Sequence, residues 1–576
     1  MGLSSISIAL SGSGGAGVMT AGAMLLEAAA HAGYYGLFSR LSGPQVRGGE
    51  AAALLRISTQ PVETPADAYD ILFAVDWGQF ERFAAEIPLG KHSTVLCDPH
   101  QGAPPASIAS DGAIVREVAL AQLAKAIPGG RPNMVALGAI SAIVGLPHDS
   151  LAAVVKHIIG RKGEPALAAS TAAIDAGFSA AGTLGFERAL SAPKVSQTRW
   201  MITGDEALGM GALEGGIRFL AGYPITPATE LIEWLTPELP RLGGRMVQAE
   251  DELASINMAL GASFGGVPSM TVTSGPGLSL MVESLGLAAA AEIPVLVIDV
   301  MRGGPSTGLP TKTEQGDLNL AIYGAHGDAP RLVLAPTSIL DGLATARWAA
   351  QLAEALQTPA IVLGDQLTGQ ARIIVDQPVP GNGAGNMLSR LTAGPAEAGA
   401  YRRYALTESG VSPMAIPGTR GGQWIAEGLS HGERGTPSSA ARDHVAQQDK
   451  RLRKLEGFDF GARWADVEGD GDTAVITWGS STSPARDAIR RLGANRRRIR
   501  LIALRLIAPL RPQLLRAALA GVKKSVVIEL NHSGQLFRYL RGLTDFDAEI
   551  ASYARSGPLP LTAQEIENHL MQWSAA

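Results

Sequence analysis

The sequence predicts a multidomain α/β protein, with three α/β units and one extended connector, and three observations predict it. Strand-length apolar runs alternate with helix-length stretches over most of the chain, the pattern of sheets covered by helices. Hydrophobic residues make up 46% and charged residues 18%, a balance that supports packed cores rather than disorder. Glycine is abundant, with 69 residues against 5% aromatics, which suits strands that end in glycine turns. A length of 576 residues fits roughly three to four domains of about 150 residues each.

Residues 1–190 carry strand-like runs "SISIALSG", "AAALLRIS", "ILFAVDW" and "STVLCDP" between helical stretches such as "VMTAGAMLLEAAAHAG", so a mainly parallel sheet is expected there. "SAPKVSQTR" (191–199) reads as a linker. A second α/β unit is expected over 200–376, with strands at "GIRFLAGYP", "SMTVTSG", "PVLVIDV" and "PAIVLGD". Over 377–470 Pro, Gly, Ser and charges dominate, and only "ARDHVAQQDKRLRKLEGF" looks helical; that describes a connector lying over other domains. The last unit, 471–576, returns to α/β order with "TAVITWGS", "IRLIALRL" and "KSVVIELN".

Composition narrows the function classes. A net charge of −5 without a basic helix or an aromatic-interleaved basic patch leaves no nucleic-acid footprint, and "RRRIR" (496–500) reads as a solvated loop. "MGLSSISIALSGSGGAG" shows no export signal and the longest apolar runs are strand-length, so no membrane span and a cytoplasmic location are expected. A single cysteine, Cys97, cannot form an internal disulfide or ligate an iron–sulfur cluster by itself. The ten histidines contain no ligand pair at metal spacing, so no metal is assigned to this chain.

Two motifs look like cofactor sites and lack the residues to be them. "GSGGAG" fits GxGxxG at Gly12, Gly14 and Gly17, but no acid follows at the end of a second strand to hold a ribose, none appearing before Glu50. A plain glycine turn, another anionic ligand and a domain contact stay open for it. "GDG" (469–471) imitates the diphosphate motif of thiamine enzymes, yet it leads into a strand and only Asn495 follows.

The second unit concentrates the informative residues. In "LAGYPITPATELIEW" Thr226 stands between Pro224 and Pro227, which predicts Pro227 at the first helical position and Thr226 as N-cap, its hydroxyl beside an anion-favouring helix terminus. "QAEDELASINMALGASFGG" places Glu250, Asp251 and Glu252 at a helix start. There they either serve the helix dipole, for roughly 0.3–1 kcal/mol, or include a functional carboxylate. "TVTSGPGLSLMVES" is a strand, a turn on Gly275, Pro276 and Gly277, and a helix. "VIDVMRGGPSTGLPTKTEQGDL" runs from a buried strand into a polar loop with Arg302, Ser306, Thr307, Lys312 and Glu314. All of these loops follow strands, at the edge where open α/β sheets bind ligands.

In that order, "GYPITPATE", "QAEDELASI", "TSGPGLSLM" and "RGGPSTGLPTKTEQGDL" resemble the α subunit of 2-oxoacid:ferredoxin oxidoreductases, nearest the 2-oxoglutarate type. The likeness continues through "YGAHGDAPR", "RYALTESGVSPMAIPG" and "ELNHSGQL", while "GSGGAGVMTAG" and "GPQVRGG" resemble the family's γ subunit, here fused ahead of α. The resemblance implies a γ-type domain over 1–190, a thiamine-diphosphate pyrimidine-binding-type domain over 200–376 and a transketolase-C-like domain over 471–576. It implies thiamine-dependent oxidative decarboxylation of a 2-oxoacid with formation of acyl-CoA, or the reverse carboxylation, with electrons passing to ferredoxin. Thiamine diphosphate would be shared with a separate β subunit that carries Mg2+ and the 4Fe–4S clusters, in an (αβ)2 assembly.

The resemblance also assigns residues. Glu252 matches the family's glutamate that bonds the aminopyrimidine of thiamine and drives its activation, with Glu250 as near rival. Tyr223, Pro224, Ile225, Ser274 and Gly275 fall at cofactor-facing positions. Thr226 and Arg302 match the residues expected on the substrate carboxylate, and Lys312 or Ser306 either faces a distal carboxylate or makes a loop contact. Gly14, Gly15 and Arg47 either meet CoA or pin the domain. His326 and Asp328 read as structural, and "ELNHSGQL" as a subunit contact. Pyruvate or a branched-chain 2-oxoacid is the alternative substrate; an NAD-binding dehydrogenase or a non-catalytic assembly subunit is the alternative of another class.

Overall fold

The computed structural model describes residues 3–43, 49–110, 112–185, 190–194, 198–378, 387–494, 498–546 and 549–575. They form two units: Met1–Thr203 with Gln370–Pro380 and Thr562–Glu565, and Gly204–Gly369 with Gly381–Leu561 and Ile566–Ala576. Among the described residues no helix is long and apolar enough to cross a membrane.

The first unit holds an eight-stranded sheet in the order Ile114–Glu117, Thr94–Cys97, Ile71–Ala74, Ser5–Ser13, Glu50–Ser58, Tyr35–Ser42, Arg372–Asp376, Arg199–Thr203. The expectation of a mainly parallel sheet is corrected. The first four strands are parallel, but the rest of the sheet is antiparallel from Ser5–Ser13 onward. The cause is local: Tyr35–Ser42 reaches Glu50–Ser58 through residues 43–49 alone, too short for a crossover helix. The segment expected over 200–376 gives up both its ends, because Arg199–Thr203 and Arg372–Asp376 join the first unit's sheet.

The second unit is built on a seven-stranded sheet ordered Leu506–Ala508, Leu332–Leu334, Pro359–Asp365, Val295–Met301, Ser269–Thr273, Phe219–Gly222, Arg245–Gln248. Every pair is parallel except at the Leu506–Ala508 edge. Val295–Met301, Pro359–Asp365 and Ser269–Thr273 are buried at every position, as the unbroken apolar runs of central parallel strands require. Four of its seven strands fall in the four expected segments; Arg245–Gln248, Leu332–Leu334 and Leu506–Ala508 are additional. A five-stranded sheet completes the unit, in the order Ala465–Glu468, Ile499–Leu504, Thr473–Trp478, Lys524–Glu529, Glu549–Ala554, again parallel but for its first edge.

Between the two sheets the described part of the connector has turns but no long element until the helix Ala441–Glu456. A buried charge cluster fastens it to the domain below. Lys450 Nζ donates to Glu292 Oε1 at 2.5 Å, Lys454 Nζ to Glu292 Oε2 at 3.0 Å, and Arg403 Nη2 to the Glu292 carbonyl at 2.7 Å. Burial opposes ionisation of Glu292, but Lys454 and Lys450 outweigh it and hold the carboxyl below its ordinary range.

Candidate active site

Three parallel strands, Phe219–Gly222, Ser269–Thr273 and Val295–Met301, end at one edge of the seven-stranded sheet, and the loops that follow them carry most of the residues singled out above. In the first loop Tyr223, Pro224 and Thr226 are exposed, while Ile225 packs on the core. The expected cap is corrected. The helix runs Thr229–Arg241 behind Ala228, and no side chain caps it. The Thr226 carbonyl accepts from Arg302 Nη1 at 2.5 Å, and the first helical bond goes instead from Thr229 N to the Ile225 carbonyl.

The three acids before the next helix divide their roles. Asp251 is the N-cap of Glu252–Phe264, its Oδ1 accepting from Ala254 N at 2.7 Å. Glu250 is exposed; Glu252 is 6% exposed. Among the described residues no hydrogen bond reaches the Glu252 carboxylate. The capping task that acids at a helix start perform is thus filled by Asp251, and the buried neighbour is spare for something else.

Glu252 lies against the start of the helix Gly275–Ala290. A Cβ at Gly277 would fall 2.6 Å from Glu252 Cγ and 2.7 Å from its Oε1, so only glycine leaves the carboxylate its place. Ser274 stands at that helix's N-cap position but makes no cap bond, and its Oγ is buried without a partner. A buried carboxylate and a buried hydroxyl, both without protein partners, fit a polar heterocycle that supplies the missing donors and acceptors.

Arg302 follows the strand Val295–Met301 and is 6% exposed, with Nε buried and unpartnered. Burial lowers its pKa, and the charge of Asp317 opposes that. The fully buried Asp299 pairs in register with Thr273, two residues before Gly275, against which the Asp317 carboxyl lies, and the charge of Asp317 adds to burial in raising Asp299. These two acids were not among the sequence candidates. The signal was present, since Asp299 interrupts an otherwise apolar strand, "VLVIDVM".

A cavity of about 790 Å3 opens beside Arg302, lined by Gly275, Pro276, Ser306, Thr307 and Asp317 on one wall. Asn531, His532, Ser533 and Gln535 form the other, so the "ELNHSGQL" segment is a wall of this cavity. Gln315 ties the two walls together. Its Oε1 accepts from Leu530 N at 2.8 Å and Ser481 Oγ at 2.5 Å, and its Nε2 donates to the Trp478 carbonyl at 2.8 Å. Gln535 Nε2 adds a bond to the Gly316 carbonyl at 2.7 Å. Ser306 faces the cavity; Lys312 is outside its described lining, as are Glu252 and Thr226. His326 and Asp328 line a separate cavity of about 260 Å3 with His444 and Arg451.

In the first unit the "GSGGAG" turn is closed by protein groups. Gly14 N donates to the Gly49 carbonyl, Gly15 has φ 103°, and Asp76 accepts from Ser13 N and Ser13 Oγ. A carboxylate on the turn, and a following strand that does not neighbour the first, both depart from a dinucleotide-binding βαβ unit. Arg47 lies outside the described residues. Asp470 of "GDG" is exposed and paired with Arg498. Among the described residues no group of three or more His, Cys, Asp or Glu could hold a metal ion.

A parallel sheet with a buried, unpartnered glutamate and a buried arginine at its carboxyl edge defines a class of domain that binds a polar cofactor and an anionic substrate there. Comparison with known proteins agrees. Residues 210–450 match the family described as pyruvate flavodoxin/ferredoxin oxidoreductase, thiamine diphosphate-binding, and residues 7–180 match pyruvate ferredoxin/flavodoxin oxidoreductase. The chain is 35% identical over 341 residues to the 2-oxoglutarate synthase subunit KorA of Methanocaldococcus jannaschii, covering 58% of this chain and 88% of that one. It is 35% identical to the 2-oxoacid:ferredoxin oxidoreductase subunit alpha of Saccharolobus solfataricus over 59% of this chain; the match spans only 56% of that subunit's length. A solved 2-oxoglutarate:ferredoxin oxidoreductase from Magnetococcus marinus, with 2-oxoglutarate, coenzyme A and succinyl-CoA bound, is 36% identical and superimposes with a TM-score of 0.91 over 99% of both chains. The chain belongs to the 2-oxoacid:ferredoxin oxidoreductase family.

Proposed function

We propose that this chain is the α subunit, with a γ-type unit fused ahead of it, of a 2-oxoglutarate:ferredoxin oxidoreductase that forms succinyl-CoA and CO2 and passes electrons to ferredoxin, or runs the reverse carboxylation. The observation that carries the reading is the pairing of buried Arg302 with a large cavity at the edge where Glu252 lies buried without a partner. The likeness over nearly the full length to a structure with 2-oxoglutarate and CoA bound supports the substrate.

The residues divide by chemistry. Bound thiamine diphosphate supplies the nucleophilic carbon. Glu252 holds a proton against the aminopyrimidine nitrogen, a proton-transfer role for which burial without other partners suits a carboxylate. Ser274, Gly275, Tyr223, Pro224 and Ile225 flank that cofactor, and exposed Glu250 stands at its rim. Arg302 grips the 2-oxoacid C1 carboxylate, with the Thr226 carbonyl fixing one arm of its guanidinium and Nε free to donate. The Thr226 hydroxyl is a second contact to that carboxylate. Ser306 serves the distal carboxylate, with Lys312 behind it. Gly14, Gly15 and Arg47 are the CoA or domain contacts of the γ-type unit. A separate β subunit supplies the diphosphate and Mg2+ site and the 4Fe–4S clusters, in an (αβ)2 enzyme of the cytoplasm.

Co-expression with its β partner and assay of CoA-dependent viologen reduction tests this. Turnover with 2-oxoglutarate at least tenfold above pyruvate and branched-chain 2-oxoacids is the expected outcome. Preference for pyruvate would move the assignment within the family, and no CoA-dependent turnover on any 2-oxoacid would overturn it.

A further inference from the structure

The acid pair beneath the cavity has no place in the roles above. Asp299 sits inside the central strand Val295–Met301 with no exposed surface, and among the described residues no N–H or O–H reaches either of its carboxyl oxygens. Its register partner Thr273 leads within two residues to Gly275, where the carboxyl of Asp317 lies; Asp317 lines the cavity and, among the described residues, has its Oδ2 buried without a donor. A Cβ at Gly275 would fall 2.6 Å from that Oδ2, so the start of the helix Gly275–Ala290 packs directly on the Asp317 carboxyl. Two ionised carboxylates cannot be held this close, buried and without donors; one proton between them removes both problems.

We propose that Asp299 and Asp317 share a proton beneath the cavity, and that the pair takes up a second proton as the 2-oxoacid carboxylate arrives at Arg302. Asp317 is a positioning residue here: it sets the charge around Arg302 rather than touching the reacting atoms. The proposal rests on the 2-oxoacid reading of the cavity. Empty, the pair carries one negative charge that balances the buried guanidinium. With substrate bound, two anions would compete for one cation, and proton uptake from solvent restores a single ion pair. The charged groups that face Asp317 are Asp299 from the strand and Arg302 and Glu314 from the loop, with His532 lining the same cavity from the opposite wall. Asp317 is already pushed up to about 6, by burial first, and Asp299 stands well above its ordinary range for the same reason. A further anion at Arg302 raises Asp317 again, through the range around neutral pH.

The test uses the chain in complex with its β partner and the unreactive acid 2-hydroxyglutarate as probe. Infrared spectroscopy is expected to show a protonated-carboxyl stretch that disappears in Asp299→Asn and shifts when the probe binds. Calorimetry in buffers of different ionisation enthalpy is expected to report uptake approaching one proton per probe near neutral pH. KM for 2-oxoglutarate is expected to rise toward tenfold per pH unit above about 6, with kcat less affected, and to lose that dependence in Asp317→Asn. Absence of the stretch in the unmodified complex would overturn the shared proton whatever the substrate, and needs no variant to fold. Binding of the probe without proton uptake would overturn the coupling. A complex that shows the stretch but binds neither 2-hydroxyglutarate nor 2-oxoglutarate would instead refute the 2-oxoacid reading, and the coupling with it.

Discussion

Glu252→Gln removes one proton-sharing group and changes little else. Glutamine has the same length, so the contact with Gly277 is kept and no cavity opens. The cap is kept too, because Asp251 and not Glu252 accepts from Ala254 N. Loss of the helix-dipole contribution therefore bounds the stability change at roughly 0.3–1 kcal/mol. Loss of a group that moves a proton in the activation step costs far more, about 10²–10⁴ in turnover, or roughly 3–5 kcal/mol of barrier. The two measurements separate cleanly: thermal unfolding of the chain with its partner should be nearly unchanged while viologen reduction collapses. Exchange of the thiamine C2 proton in the bound cofactor should slow by a similar factor, with cofactor affinity little altered. Wild-type exchange in the variant would refute the role of Glu252 and leave Glu250, exposed as it is, as the acid to test.

Arg302→Ala should raise KM for the 2-oxoacid about ten- to a hundredfold, the worth of a charge-assisted bond of roughly 1.5–3 kcal/mol, with KM for CoA much less affected; equal losses for both would indicate a collapsed loop. Gly277→Ala should lower turnover at least tenfold while costing about 1–3 kcal/mol of stability, because the new methyl meets Thr273 Oγ1 and the Glu252 side chain together; activity measured beside a denaturation curve distinguishes this from simple unfolding. Glu292→Gln should leave Lys450 and Lys454 buried without their counter-charge and destabilise the connector by about 3–5 kcal/mol, seen as faster limited proteolysis within 387–456.

What could be read from the chain alone followed from how local the determining physics is. The central strands were legible because burial on both faces forces an apolar run, and "PVLVIDV" and "PAIVLGD" became strands of a parallel sheet. The pairing of Tyr35–Ser42 was not legible in the same way, because alternation of strands and helices says nothing about a seam where strand follows strand. At the site, three consecutive acids could be placed at a helix start, but which one is buried depends on the cap: once Asp251 turns to accept from Ala254 N, Glu252 faces inward. Thr226 failed as a cap for a reason far from it in sequence, since the group that claims its carbonyl is Arg302.

The same distance explains the least legible part. Gln315 and Leu530 exchange hydrogen bonds across more than two hundred positions, and with the bond from Gln535 to the Gly316 carbonyl they set "NHSGQ" opposite Arg302. No periodicity or spacing in either segment encodes the other. It also implies that the cavity depends on the C-terminal sheet for half its wall. Gln315→Ala strips three buried groups of a partner at once: Leu530 N, Ser481 Oγ and the Trp478 carbonyl. At about 1–3 kcal/mol for each group left unsatisfied, the wall should loosen before the sheet beneath it does. KM for the 2-oxoacid should then rise severalfold while the global unfolding transition moves little. A variant with unchanged KM would mean that the C-terminal wall is not part of the site that substrate reads.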